Sequence, residues 1–167
     1  RLAYRNGKIY WTEIVPGLRW THENYSVLKC YDLKEGRIKS ITPRQRYLSP
    51  SVDKNGKVAA VSRTTVDGKN QLVLVELENG KELFAFQVPG NAFIKDLTFT
   101  DQDEVVAVAV TDAGISLLQF TPSSGQWEEL LSTASVNITS PVWKDGRIYF
   151  ESGANGTNNL YCLDLAD

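Results

Sequence analysis

The chain has 167 residues, of which 42% are apolar and 23% charged, and a net charge of −2 at pH 7. That composition is ordinary for a globular domain with one sizeable core, and so small a net charge argues against nucleic acid, which needs a concentrated basic surface. No apolar run is long enough to cross a bilayer as a helix, and no basic-then-apolar leader opens the sequence, so membrane insertion is not expected within this segment.

The average charge hides a split. Residues 1–46 hold ten Lys or Arg against four Asp or Glu, a balance of +6, whereas residues 47–167 hold eight against sixteen, a balance of −8. Such a dipolar chain permits contact between its ends, although solvated strand faces and loops account for the same balance. The chain starts at Arg1 and contains no Met, which reads as a segment excised from a longer protein.

Taken in chain order, the predicted elements are all strands. Three fall in residues 8–42, four in 47–88, four in 93–132 and three in 137–165. The turns between them carry residues that accept positive φ, as tight hairpins require: Asn55-Gly56, Asp67-Gly68 and Asn79-Gly80 separate the four strands of the second group. Val105 to Val110 is apolar throughout, as expected of a strand covered on both faces. Glu82 to Val88 and Gln126 to Leu131 mix polar and apolar residues and fit an outer strand with one wet side.

The groups repeat. A turn leading into an apolar strand recurs at Asn6-Gly7-Lys8-Ile9-Tyr10, Asn55-Gly56-Lys57-Val58-Ala59, Asp103-Glu104-Val105-Val106-Ala107 and Asp145-Gly146-Arg147-Ile148-Tyr149, in steps of 49, 47 and 43 residues counted at Gly7, Gly56, Asp103 and Gly146. A second marker recurs at Asp32-Leu33, Glu76-Leu77, Gln119-Phe120 and Asp164-Leu165, in steps of 44, 43 and 45. Two markers sharing a period of about 45 residues define four-stranded blades. The expected fold class is all-β, a partial β-propeller of about four antiparallel meanders. The blades are placed at 1–42, 43–90, 91–134 and 135–167, the first lacking its innermost strand and the last its outermost. Exposed blade edges of that kind invite self-association.

Chemistry is sparse. No Gly-x-Ser-x-Gly elbow is present, and the single histidine, His22, has neither a base partner nor metal-site spacing. Asp101, Asp103 and Glu104 sit in a strand-connecting turn, where solvation explains them better than a cation does. Catalytic residues, metal and cofactor are therefore expected to be none. Cys30 and Cys162 occupy equivalent places in their repeats, too far apart for a disulfide, and read as buried free thiols. The stretch from Ile14 to Asn24 makes a connection far longer than its counterparts, and Arg19, Trp20 and His22 within it form the candidate partner-binding loop. Packing of Trp20 onto its own blade is an equal alternative.

Ser49-Pro50-Ser51-Val52 before Asn55-Gly56-Lys57, and Ser140-Pro141-Val142-Trp143 before Asp145-Gly146-Arg147, resemble the Pro-x-Trp-Ser-Pro-Asp-Gly-Lys blade pattern of TolB, tricorn and dipeptidyl peptidase propellers. Leu160-Tyr161-Cys162-Leu163-Asp164-Leu165 is similar to the same family's Ile-Tyr-x-x-Asp-Leu strand. The third repeat departs, with Asp96-Leu97-Thr98-Phe99 where the pattern has Ser-Pro-x-Trp. The resemblance implies a non-catalytic interaction module for a protein or peptide partner, in a larger exported or cell-envelope protein and by analogy in the periplasm. The alternative it implies is the substrate-gating propeller of a serine peptidase whose catalytic domain lies outside this segment.

Overall fold

The computed structural model describes residues 1–16, 24–133 and 136–165. They form four antiparallel meanders, one per repeat. Blade 1 contains β1 (Leu2–Arg5), β2 (Lys8–Pro16), β3 (Asn24–Asp32) and β4 (Arg37–Ser40). Blade 2 contains β5 (Tyr47–Val52), β6 (Val58–Thr64), β7 (Asn70–Glu76) and β8 (Glu82–Gln87). Blade 3 contains β9 (Phe93–Phe99), β10 (Val105–Thr111), β11 (Gly114–Thr121) and β12 (Gln126–Thr133), and blade 4 contains β13 (Ile138–Lys144), β14 (Arg147–Ser152) and β15 (Asn159–Asp164). The fold is a four-bladed β-propeller, with blade 4 three-stranded among the described residues.

Blade 1 corrects the expectation that it lacks its innermost strand. Arg5 pairs with Lys8 across Asn6 and Gly7, whose φ values of 51° and 74° are those of a two-residue hairpin turn matching strand twist. That turn folds Leu2–Arg5 back onto β2 with Leu2 opposite Trp11. Four residues with alternating exposure give too short a pattern to register as a strand on their own.

The blades are held together by their two-faced middle strands. In β10, Val105, Ala107 and Ala109 pack in the cluster shared with blade 2, and Val106 and Val108 in the one shared with blade 4. In β6, Ala59 and Val61 face blade 1 while Ala60 faces blade 3. Small and β-branched residues let neighbouring sheets approach closely. Aromatic rings fill the wider outer part of the wedge: Phe120 lies 4.6 Å from Phe86 and 4.7 Å from Trp127, measured between centroids.

Local polar contacts fix the turns. Asp53, 6% exposed, accepts hydrogen bonds from the backbone N–H groups of Asn55, Lys57 and Val58 at 3.3, 2.7 and 2.8 Å. Thr100 does the equivalent work in blade 3, its hydroxyl accepting from the N–H groups of Gln102 and Glu104, both at 3.2 Å. Asp103 takes the left-handed place there with φ 62°, where Gly56 stands in blade 2 at φ 71°.

Gly80 is needed twice over. Its φ is +72°, and a Cβ there would lie 2.0 Å from the carbonyl oxygen of Ile41 in the segment leaving blade 1. Gly68 has a similar φ, +77°, with nothing within 4 Å. Gly68→Ala is therefore expected to cost about 1 kcal/mol, the left-handed penalty alone, and Gly80→Ala about 3 kcal/mol because the blade 1–blade 2 contact must also move. Urea denaturation of the two variants checks this, and equal losses would show that the close approach carries no energy.

Candidate functional site

The innermost strands β1, β5, β9 and β13 line a polar axial cavity of about 380 Å³, to which Arg1, Arg5, Ser51, Thr98, Lys144 and Asp145 contribute. Three of these strands are bulged. The register slips at Ser49-Pro50 in β5, at Lys95 in β9 and at Ser140-Pro141 in β13. Ser49 and Ser140 have φ of 47° and 54°, uncommon for residues other than glycine, and each is held by the next or preceding blade. The Ser49 hydroxyl donates to the Lys95 carbonyl at 2.8 Å, and the Ser140 N–H donates to the Asp96 carboxylate at 3.1 Å.

Asp96 gathers contacts from three blades. Besides Ser140 it accepts from its neighbour Leu97 N–H at 3.1 Å and from the Arg1 guanidinium, which also donates to the Pro141 carbonyl at 2.7 Å. Sequence reasoning noted Asp96 only as a departure from the Ser-Pro-x-Trp pattern. The departure has a structural counterpart: the Asp96 carboxylate accepts the backbone N–H of Ser140, the positive-φ serine of the next blade.

The expected long loop is shorter than its sequence suggests. Ile14, Val15 and Pro16 belong to β2 and Asn24 to β3, Pro16 pairing with Asn24, so the connection shrinks to residues 17–23. Its counterparts are residues 65–69, 112–113 and 153–158, so it is the longest of the four by a single residue. Arg19, Trp20 and His22 lie outside the described residues. The described strands on either side of them, β2 and β3, meet at one end of the molecule. Antiparallel meanders put these four connections at one end of the blades. That end is studded with exposed apolar side chains: Ile14 (64%), Val66 (88%), Phe93 (38%) and Leu160 (71%).

The remaining candidates separate. Asp103 pairs with Lys54 at 3.4 Å, and Glu104 instead accepts from Gln119 and Thr121 at 2.7 and 2.9 Å, so the carboxylate trio does not converge. Among the described residues there is no group of three His, Cys, Asp or Glu arranged to hold a metal ion, and no helix long and apolar enough to cross a membrane. Both cysteines are free, but only Cys30 is buried. Cys162 is exposed, correcting the expectation for it. The two thiols sit on equivalent faces, and blade 2 covers that face of blade 1 while no described sheet covers it in blade 4.

Burial dominates the one strong electrostatic feature. Desolvation pushes Tyr10 and Tyr47 up to about 12, helped at Tyr10 by Cys30 and at Tyr47 by the Glu82 carboxylate that accepts its hydroxyl proton at 3.0 Å. Arg63, bonded to the same carboxylate at 2.6 Å, offsets this in part at Tyr47.

No family model matches the chain, and no curated protein matches it. Solved structures do. TolB from Acinetobacter baumannii superposes with TM-score 0.70 at 16% identity, over 96% of this chain and 40% of that one. The β-propeller domain of the Trilobed protease from Pyrococcus furiosus gives 0.67 at 12%, over 100% and 54%. PorZ, a bacterial surface component of the type-IX secretion system of Porphyromonas gingivalis, gives 0.62 at 13%, over 98% and 25%. At such identities the likeness is one of fold, and it agrees with the blades described above. The chain spans about half the length of the Trilobed protease propeller and less of the others.

The tyrosines give a pH test. A phenol whose folded value lies above its unfolded value of about 10 favours the fold while it stays neutral, so stability should hold to about pH 9 and fall between pH 10 and about 12. Absorbance at 295 nm should show Tyr10 and Tyr47 ionising near 12 in the folded chain, and Tyr47→Phe should remove one of those two steps. Loss of neither step in Tyr47→Phe, or ionisation of both groups near 10 before unfolding, would contradict the burial argument.

Proposed function

We propose that the chain is a non-catalytic interaction module that presents the blade end bearing residues 17–23 to a protein or peptide partner, with Arg19 and Trp20 at the contact. The observation that carries this reading is the row of exposed apolar side chains, Ile14, Val66, Phe93 and Leu160, at that end of the blades. Apolar tips on a rigid scaffold suit recognition, and Trp beside Arg supplies large area with directional donors. His22 adds a further polar group to the same connection. The likeness to TolB and to the surface component PorZ favours an exported or cell-envelope setting, in keeping with the resemblance of the Ser-Pro motifs.

A second reading draws on the axial cavity. A peptide threading past Arg5, Thr98 and Lys144 would make this a substrate gate, as the likeness to a protease's propeller domain suggests. Peptides selected on the chain from a random library distinguish the two. On the first reading, Arg19→Ala with Trp20→Ala weakens the selected peptides about tenfold or more, with thermal stability nearly unchanged, whereas Arg5→Glu has little effect. Loss of binding on Arg5→Glu alone would move the site to the channel, and parallel loss of folding and binding in the double variant would make Trp20 a packing residue.

A further inference from the structure

Blades 2 and 3 present the same ladder of cross-strand pairs to the blade before them. From the turn end it reads Ala59–Val75, Val61–Val73 and Arg63–Gln71 in blade 2, and Val105–Phe120, Ala107–Leu118 and Ala109–Ser116 in blade 3. The inner strand adds Tyr47 beside Arg63 and Ile94 beside Ala109. The first two pairs are apolar in both blades and close the core. The third pair differs.

In blade 2 the third pair carries its own cation. The Arg63 guanidinium donates to the Gln71 side-chain oxygen at 3.0 and 2.8 Å and to the Glu82 carboxylate at 2.6 and 3.1 Å, and it lies 5.9 Å from the centre of the Tyr47 ring. Blade 3 lacks that guanidinium, because Ala109 stands in the place of Arg63 and Ser116 in the place of Gln71. It keeps a carboxylate. Glu129, on the outer strand β12 opposite Leu118, accepts from the Ser116 hydroxyl at 3.0 Å, and Ser116 lies 3.4 Å from the Ser132 hydroxyl.

The space left is a pocket of about 300 Å³ between blades 2 and 3. Ala109, Ser116, Glu129 and Ser132 belong to one wall, and Pro89, Gly90 and Ala92, in the segment crossing from blade 2, to the other. No Lys or Arg lines it among the described residues. The crossing segment is fixed in place: the Asn91 side chain accepts from the Asn70 N–H at 2.8 Å and donates to the Gly68 carbonyl at 3.0 Å. A pocket with walls set beforehand loses little freedom on being filled. Ala113 also lines it, which places it at the blade end that exposes Val66 and Phe93.

We propose that this pocket receives an arginine side chain of the partner protein, which brings to Glu129 and Ser116 the guanidinium that Arg63 provides within blade 2. A planar guanidinium bonds a carboxylate through two parallel N–H groups, and Ser132 offers a further acceptor. Ala92, Ala109 and Leu118 cover the methylene stem. The inference rests on the reading of this blade end as partner-facing, which names the source of the arginine, but it invokes no residue of 17–23.

The test titrates acetyl-argininamide into the 167-residue chain and follows amide NMR shifts. Shifts should cluster at Ala92, Ala109, Gly114, Ser116 and Ser132 and saturate with a Kd on the order of 1–10 mM. The neutral isostere acetyl-citrullinamide should bind about threefold or more weakly, and Glu129→Gln should weaken argininamide by a similar factor. Ala109→Arg, which builds the blade 2 arrangement into blade 3, should abolish the shifts at Ser116 and Ser132; if that variant does not fold, Glu129→Gln decides alone. Equal binding of the citrulline compound, no change in Glu129→Gln, or persistent binding in a folded Ala109→Arg would each overturn the proposal. So would shifts spread over surface carboxylates without saturation by about 50 mM. Arg19→Ala with Trp20→Ala should leave argininamide binding intact while weakening library-selected peptides, so a failed pocket and a failed loop reading show in different variants.

Discussion

A sheet whose middle strands are apolar on both faces cannot be dried by one neighbour. β6 and β10 are such strands, and each sends alternate residues into two different cores. Blades 2 and 3 therefore must be sandwiched, and the right-handed twist of each sheet turns a stack of sheets into a fan around an axis. The rest of the structure follows from this. The narrow side of the fan takes small residues such as Ala59, Ala60 and Ala107, and the wide side takes Phe86, Phe120 and Trp127.

Fanning brings edge strands to the axis, where they must keep their distance from one another and still bond. The bulges at Ser49-Pro50, Lys95 and Ser140-Pro141 serve this need. Proline has no N–H to leave unpaired on an inner edge, and the extra residue bends the strand toward its neighbour. Ser49 and Ser140, at positive φ, each donate a hydrogen bond to an adjacent blade, so contacts between blades help to build the axial cavity. A cavity so constructed is polar by origin, since backbone edges and turn residues line it.

The fold was legible in the sequence because its signals are local. Asn-Gly and Asp-Gly turns need positive φ, and an unbroken apolar run such as Val105 to Val110 admits few readings. β1 escaped because four residues cannot show a period, and its only signal was the Asn6-Gly7 turn that follows it. The role of Asp96 was hidden because its partners, Arg1, Pro141 and Ser140, are brought to it by the fan and not by spacing. Cys30 and Cys162 show the limit of repeat logic: equivalent positions share a face, but what covers that face depends on the neighbour.

Functional inference from the axis and from the blade ends depends on the blades being one stacked unit. Native-state hydrogen exchange tests that most directly. The account predicts that amides of β6, β7, β10 and β11 exchange only through global unfolding and share one free energy of opening, while those of β1, β4 and β15 exchange faster by fraying. Separate and unequal opening energies for blades 2 and 3 would contradict it, because two sheets that share a core cannot open independently.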